Sequence, residues 1–203
     1  MPMEMRKEYK INEIFYSLQG EGHHTGVPAI FIRFSGCNLN CSFCDTNHID
    51  GNMLNSDEIL AEISKYPQAQ LIVLTGGEPS LFIDSELLTA IKQHTNAMIA
   101  IETNGTHIIP PEVDWITFSP KNGFSGGNTH PAILTKCDEL KVVYCGQSLD
   151  QYFDIIASYY YLQPCATGHA HLDIENTQAT INAVLADPRW TLSLQTHKLT
   201  GMR

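Results

Sequence analysis

Basic residues are scarce in this chain: 12 Lys and Arg stand against 22 Asp and Glu in 203 residues, a net charge of −10. No Lys/Arg run reverses that balance locally, so the average surface repels nucleic acid, and a small molecule or a protein is the expected partner. No apolar run approaches the ~18 residues that a membrane span needs, and MPMEMRKEYKINEIF holds no apolar signal core. The expectation is a soluble, cytoplasmic chain without a membrane partner. Repeats, low-complexity tracts and linkers are also missing, so a single domain over 1–203 is expected. At 43% hydrophobic and 17% charged, the composition is that of a chain that buries a core.

One more absence concerns the stretch GCNLNCSFCDT, residues 36–46, where Cys37, Cys41 and Cys44 have no fourth cysteine nearby. Cysteines this close in one loop do not easily reach disulfide geometry with one another, so ligation is favoured over bridging. Two ligands are compatible with the spacing. A structural zinc site takes four N/S ligands, and His48 could complete a Cys3His set, although zinc ligands commonly come as two separated pairs. An iron–sulfur cluster is the alternative: three thiolates hold three irons of a [4Fe–4S] cube and leave the fourth iron open. The other cysteines, Cys137, Cys145 and Cys165, lack ligand spacing and read as buried, hydrophobe-like residues. His23, His24, His48, His107, His130, His169 and His171 read as surface residues, and the tyrosines at 159–161 as strand packing.

Short apolar runs alternate with helical patterns along the chain. PAIFIRF (28–34), LIVL (71–74), AMIAI (97–101), WITF (115–118), ELKVVYC (139–145), YYYL (159–162) and WTLSLQ (190–195) read as strands. Asn55 or Ser56 caps a helix that places Ile59, Ile63 and Tyr66 on one face, and Asp84 caps another carrying Leu87, Leu88 and Ile91. Further helices are expected near 150–158 and over 176–187, the second with Ile181, Val184 and Leu185. Strand, loop and helix in about six repeats imply an α/β fold with parallel strands. The chain is shorter than the ~250 residues of a full eight-unit barrel, so a partial, open (βα)6-type barrel is expected. Polar motifs close the strands: CNLNCSFC, TGGEP, ETNG, SPK and QP, at the edge where parallel sheets bind ligands.

These motifs, in this order, resemble the radical S-adenosylmethionine (SAM) superfamily. C-x3-C-x2-C with Phe43 before the third cysteine is similar to its cluster motif, and TGGEP (75–79) to its GGEP element. Within that superfamily, FYSLQGEGHHTGVPAIFIRFSGCNLNCSFCDT (15–46), SPK (119–121), LQP (162–164) and LQTHK (194–198) resemble the 7-carboxy-7-deazaguanine synthase family. The resemblance touches the whole length of the chain, with 1–27 as an N-terminal substrate-binding extension and 28–203 as the partial barrel.

The resemblance implies that Cys37, Cys41 and Cys44 hold a [4Fe–4S] cluster whose open iron is chelated by SAM. It further implies that SAM lies among Phe43, Cys44, Asp45, Gly77, Glu78, Glu102, Asn104, Ser119, Pro120, Lys121, Gln163 and Pro164. Glu102 and Asn104 would meet its ribose, and the glycines would let backbone approach its amine. The implied substrate is 6-carboxy-5,6,7,8-tetrahydropterin, bound by Leu18, Gln19, Gly20, Thr75, His197 and Arg203, with Arg33 answering its carboxylate. Thr46 would hold Mg²⁺, completed by substrate oxygens and water. The implied reaction is that of a carbon–nitrogen lyase: a radical made from SAM takes a hydrogen from C6, the ring contracts, ammonia leaves, and the hydrogen returns. An electron donor such as a flavodoxin and a homodimer are implied as partners. Two rivals remain open on the sequence: an enzyme that installs a glycyl radical on a partner protein, and a zinc-stabilised binding module.

Overall fold

The computed structural model describes residues 7–44, 46, 49–121 and 130–203. One sheet of nine strands runs through them: β1 (Glu8–Leu18), β2 (Pro28–Phe34), β3 (Asn52–Asn55), β4 (Leu71–Gly76), β5 (Met98–Thr103), β6 (Trp115–Phe118), β7 (Lys136–Tyr144), β8 (Ile156–Pro164) and β9 (Thr191–Leu192). Their order is β3-β1-β2-β4-β5-β6-β7-β8-β9. From β2 to β9 every pairing is parallel, whereas β1 pairs antiparallel with both β2 and β3. The parallel α/β sheet matches the fold class expected from the alternation of apolar runs with helical patterns. The two antiparallel strands were not expected: residues 8–18 alternate weakly, and only their pairing with β2 shows them to be part of the sheet.

Period-two alternation gives each strand two different faces. On β2, Ile30, Ile32 and Phe34 join Ile72, Leu74, Ile99 and Ile101 in a core packed under two helices, α1 (Ser56–Ile63) and α2 (Ser85–His94). Ala29 and Phe31 point the other way, into a smaller cluster with Phe15, Val73 and Ala100. The C-terminal half has its own core around Phe118, Leu140, Val142, Tyr152, Leu162 and Trp190.

Both expected caps are in place. Asp84 accepts from Leu87 N at 2.9 Å, and Asn55 closes a capping box with Glu58. Asn55→Ala removes the acceptor of Glu58 N, so a loss of about 1 kcal/mol is expected. A thermal melt should show it as a fall of about 2–4 °C.

The helix expected near 150–158 does not form, and the repeat of strand, loop and helix is incomplete. Residues 150–158 form only a single 3-10 turn at Asp150–Tyr152 before β8 begins, because DIIASYYY is rich in β-branched and aromatic residues that favour strands. Residues 104–114 join β5 to β6 without a helix, and they contain Pro110 and Pro111. WTLSLQ shrinks to the two-residue β9, extended by one bond from Ser193 N to Leu162 O of 2.8 Å. The helix expected over 176–187 is α3 (Ala170–Ala186), and it buries Thr180 with Ala183 and Val184 alongside. Leu185 is 78% exposed there, so it does not belong to the packed face. A short α4 (Thr196–Thr200) follows.

No described helix is long and apolar enough to cross a membrane.

Candidate active site

The hairpin loop between β1 and β2, residues 19–27, crosses the concave face of the sheet. Gln19 Nε2 reaches Glu102 on β5 at 3.2 Å, Glu21 reaches Lys141 on β7 at 2.5 Å, and Gly22 N donates to Ser193 Oγ beyond β9 at 3.0 Å. Thr196 N and Oγ1 both donate to Gly20 O at 2.9 Å. A loop bound to β5, β7 and the segment after β9 closes one end of an open barrel. Gly22 makes this possible: its φ is +64°, and a Cβ there would stand 2.0 Å from Glu139 Oε1. Beside it, His23 stacks on Trp115 with ring centroids 4.9 Å apart and meets Tyr159 at 4.0 Å. His23 is exposed, as expected, and Tyr159 lies in β8, but with Trp115 and the half-buried His24 they form one aromatic cluster at the loop.

Above that loop lies a cavity of about 600 Å³. Cys37, Cys41, Phe43, Cys44 and Thr46 line it, with Gly77, Glu78, Asn104, Ser119, Lys121, Gln163 and Pro164. So do Leu18, Gln19, Gly20, Arg33, Thr75, Glu102, His197 and Arg203, together with Glu21 and Lys141. Pro120 is buried between Ser119 and Lys121 and does not reach the wall, and Asp45 and His48 lie outside the described residues.

The cysteine loop carries free thiols, half-buried at Cys37 and Cys41 and exposed at Cys44. Burial pushes the Cys37 and Cys41 thiols up. Leu39 N donates to Cys37 Sγ at 3.4 Å, and Cys44 N to Cys41 O at 3.1 Å, which shapes the loop into a tight cup. Among the described residues no three His, Cys, Asp or Glu side chains stand close enough together to hold one ion. Three free thiols from one short loop line the cavity, and soft thiolate donors suit iron–sulfur chemistry. The residues present therefore fit a cluster.

TGGEP also has a structural role. Gly77 N donates to Phe34 O at 3.0 Å and Glu78 N to Gly36 O at 2.9 Å, so this turn clamps the root of the cysteine loop. Glycine is required because a Cβ on Gly76 would sit 2.2 Å from Phe34 O, and one on Gly77 2.0 Å from Gly36 O. The Glu78 side chain is 1% exposed and faces inward. It accepts from Ser80 N at 3.1 Å, Ser80 Oγ at 2.6 Å, Thr103 Oγ1 at 2.6 Å and Asn104 N at 2.7 Å. Asn104 in turn donates to Asn38 Oδ1 at 3.0 Å. GGEP and ETNG thus brace each other and the cluster loop.

Glu102, expected at a ribose, is held by three side chains. Its carboxylate accepts from Gln19 Nε2 at 3.2 Å and Thr75 Oγ1 at 3.0 Å, two residues expected around substrate, and from Lys141 Nζ at 3.2 Å, which was not. Arg33 points its Nε at Glu13 Oε1, 3.0 Å away, and Arg203 pairs with the other oxygen of the same carboxylate. Ser17 Oγ donates to Arg203 O at 2.7 Å, which ties the last residue to β1. Lys121 donates to Ser119 Oγ at 2.5 Å and stands 6.0 Å over the Phe43 ring, and burial lowers its pKa.

Sequence reasoning missed Glu13, Glu21, Glu139 and Lys141. Burial pushes Glu21 up, but the Lys141 ammonium and the Gln195 amide outweigh it and hold Glu21 at about 2. Glu139 goes the other way: burial raises it to about 6 despite Lys141. Burial opposes the charge on Lys141, yet Glu102, Glu21 and Glu139 raise its pKa well above the ordinary lysine value. A signal was present in ELKVVYC: Glu139 and Lys141 sit two apart in an apolar strand, on the face opposite Leu140 and Val142. Cys145 is exposed, against expectation, while Cys137 and Cys165 are buried.

Residues 31–119 match the model of the Radical SAM superfamily. The 7-carboxy-7-deazaguanine synthase of Bacteroides thetaiotaomicron is 52% identical over 96% of this chain and 98% of its own. The protein of the same name from Neisseria meningitidis is 36% identical over 96% of this chain and 94% of its own. The crystal structure of QueE from Escherichia coli superimposes with a TM-score of 0.73 at 30% identity, covering 93% of this chain and 94% of that one.

Proposed function

The chain belongs to the 7-carboxy-7-deazaguanine synthase family of radical SAM enzymes, and from that membership we propose how its cavity serves the reaction. The reaction is the ring contraction of 6-carboxy-5,6,7,8-tetrahydropterin to 7-carboxy-7-deazaguanine with loss of ammonia, with SAM regenerated, on the route to queuosine. Cys37, Cys41 and Cys44 hold the [4Fe–4S] cluster, and Phe43, Ser119, Lys121, Gln163 and Pro164 line the place of SAM beside it. Thr46 borders the same cavity and is the magnesium ligand, with substrate oxygens and water completing the shell. When bound, cluster and SAM supply the radical that takes and returns a substrate hydrogen.

The protein's own residues bind, orient and exclude water. The observation that carries this reading is one wall that joins thiols and Arg33 across a single cavity. Arg33 uses its Nε on Glu13, which leaves both terminal nitrogens of the guanidinium for the substrate carboxylate. The loop 19–27 and His197, packed against its Gly20, close one side of the cavity. A reductant of flavodoxin type delivers the electron, and the enzyme works as a homodimer in the cytoplasm.

Protein reconstituted and reduced without oxygen, then given SAM, Mg²⁺ and the carboxylated pterin, should form 7-carboxy-7-deazaguanine. Absence of that product overturns the assignment. Arg33→Ala should lower kcat/KM about 100-fold, chiefly through KM, as two charge-assisted hydrogen bonds are lost. A pterin without the carboxylate should then be handled alike by parent and variant, and a difference between them would remove Arg33 from this role.

A further inference from the structure

Lys141 is a buried cation that the reaction outlined above does not use. Its side chain is 6% exposed, and its Nζ lies 2.5 Å from Glu21 Oε2 and 3.2 Å from Glu102 Oε1. Glu139, two residues back on β7, adds a third carboxylate whose Oε2 accepts from His23 N at 3.0 Å. One ammonium thus faces three carboxylates; bringing like charges together away from water costs free energy, and such arrangements cluster at functional sites. Each of the two carboxylates on the cavity is pinned from more than one side. Glu21 Oε1 accepts from Gln195 Nε2 at 2.8 Å, and Glu102 is held by Gln19 and Thr75 besides the lysine. A carboxylate offers about four acceptor positions, so both still have lone pairs free for the cavity they line.

Their place along the sheet says what those lone pairs face. Arg33 on β2 pairs in register with Thr75 on β4. Thr75 Oγ1 bonds Glu102 on β5, whose ladder partner on β6 is Thr117, and Thr117 pairs with Glu139 on β7. Arg33 and Glu102 therefore stand in one cross-strand layer two strands apart, about 10 Å at the backbone. That span suits the long axis of a bicyclic pterin held by its carboxylate at Arg33. The far end of such a molecule carries the 2-amino group and the neighbouring ring N–H, which are hydrogen-bond donors only. Acceptor-only carboxylates complement them, and a heterocycle with an oxygen in place of the amino group would set oxygen against oxygen.

We propose that Lys141 is a positioning residue that aims the Glu21 and Glu102 carboxylates at the amino end of the substrate, which makes the site selective for 2-amino heterocycles. This rests on the pterin assignment above. Lys141 itself borders the cavity, but its ammonium is bound to the two carboxylates, and it acts through them.

The test compares 6-carboxytetrahydropterin with its 2-oxo analogue, in which the 2-amino group is replaced, using binding and kcat/KM for each. The parent enzyme should prefer the amino compound by about 100-fold or more, as for a site whose polar groups are otherwise left unpaired. Lys141→Met should lower kcat/KM for the amino compound about 100-fold and change that for the 2-oxo analogue less than about 3-fold, so the preference collapses. Lys141→Met/Glu139→Gln removes one of the carboxylates the ammonium balanced, and it gives the same measurement if the single variant does not fold. An equal fall on both compounds in a folded, cluster-bearing variant would make Lys141 merely structural and overturn the proposal, as would an unchanged preference. A parent enzyme that fails to convert the pterin would instead overturn the assignment of function.

Discussion

Replacing Gly77 with alanine is expected to strip the protein of most of its cluster. The added Cβ would lie 2.0 Å from Gly36 O, 2.6 Å from Gly36 C and 3.2 Å from Cys37 Cβ. Two of these atoms are backbone, so no side-chain rotation relieves the clash. Gly36 cannot retreat freely either. It accepts from Glu78 N at 2.9 Å, its φ is +101°, and the Phe82 ring lies against it. The displacement must pass to Cys37, the first thiolate. Misplacement by about 1 Å can cost 100-fold in rate, so kcat/KM should fall by at least about that factor. Iron after reconstitution should drop well below the about four per chain of a complete cube. Gly146→Ala is the control: its φ is +90° but nothing stands within 4 Å, so it carries backbone strain alone. That control should keep its iron. Full iron and activity in Gly77→Ala would show that the loop absorbs the shift.

Glu78→Ala should have the largest effect on stability. Four donors end on this carboxylate, two of them the backbone amides of Ser80 and Asn104, and all lie within the protein. Truncation leaves these donors without an acceptor in a space too enclosed for free hydration. Breaking a buried, charged hub of this kind costs about 3–5 kcal/mol. At about 2–4 °C per kcal/mol, the melting temperature should fall by about 10 °C. Glu78→Gln keeps one acceptor oxygen and should lose less. A melt of Glu78→Ala within about 2 °C of the parent would mean that water replaces the carboxylate at no cost.

Glu78 also shows how far a motif can be read. TGGEP stands out in the sequence, and its position after a strand is legible because LIVL is a continuous apolar run. That its carboxylate turns inward, to Thr103 and Asn104 of the next strand end, depends on the register of β4 against β5. Glu102 teaches the same lesson. Strand alternation places Glu102 and Asn104 on the same side of the chain, yet Thr75, Gln19 and Lys141 hold Glu102, while Asn104 joins Asn38 in the cysteine loop.

What the amino-acid sequence determined alone is local in origin. The cysteine spacing, the caps at Asn55 and Asp84, the inward and outward faces of PAIFIRF and the polar strand ends follow from backbone geometry over a few residues. The tertiary structure decided which charges meet. Glu21 and Lys141 are 120 residues apart, and they pair only because β1 joins the sheet antiparallel and its hairpin folds across the concave face. No short-range pattern encodes that contact, since it is set by sheet order and curvature acting on the whole chain.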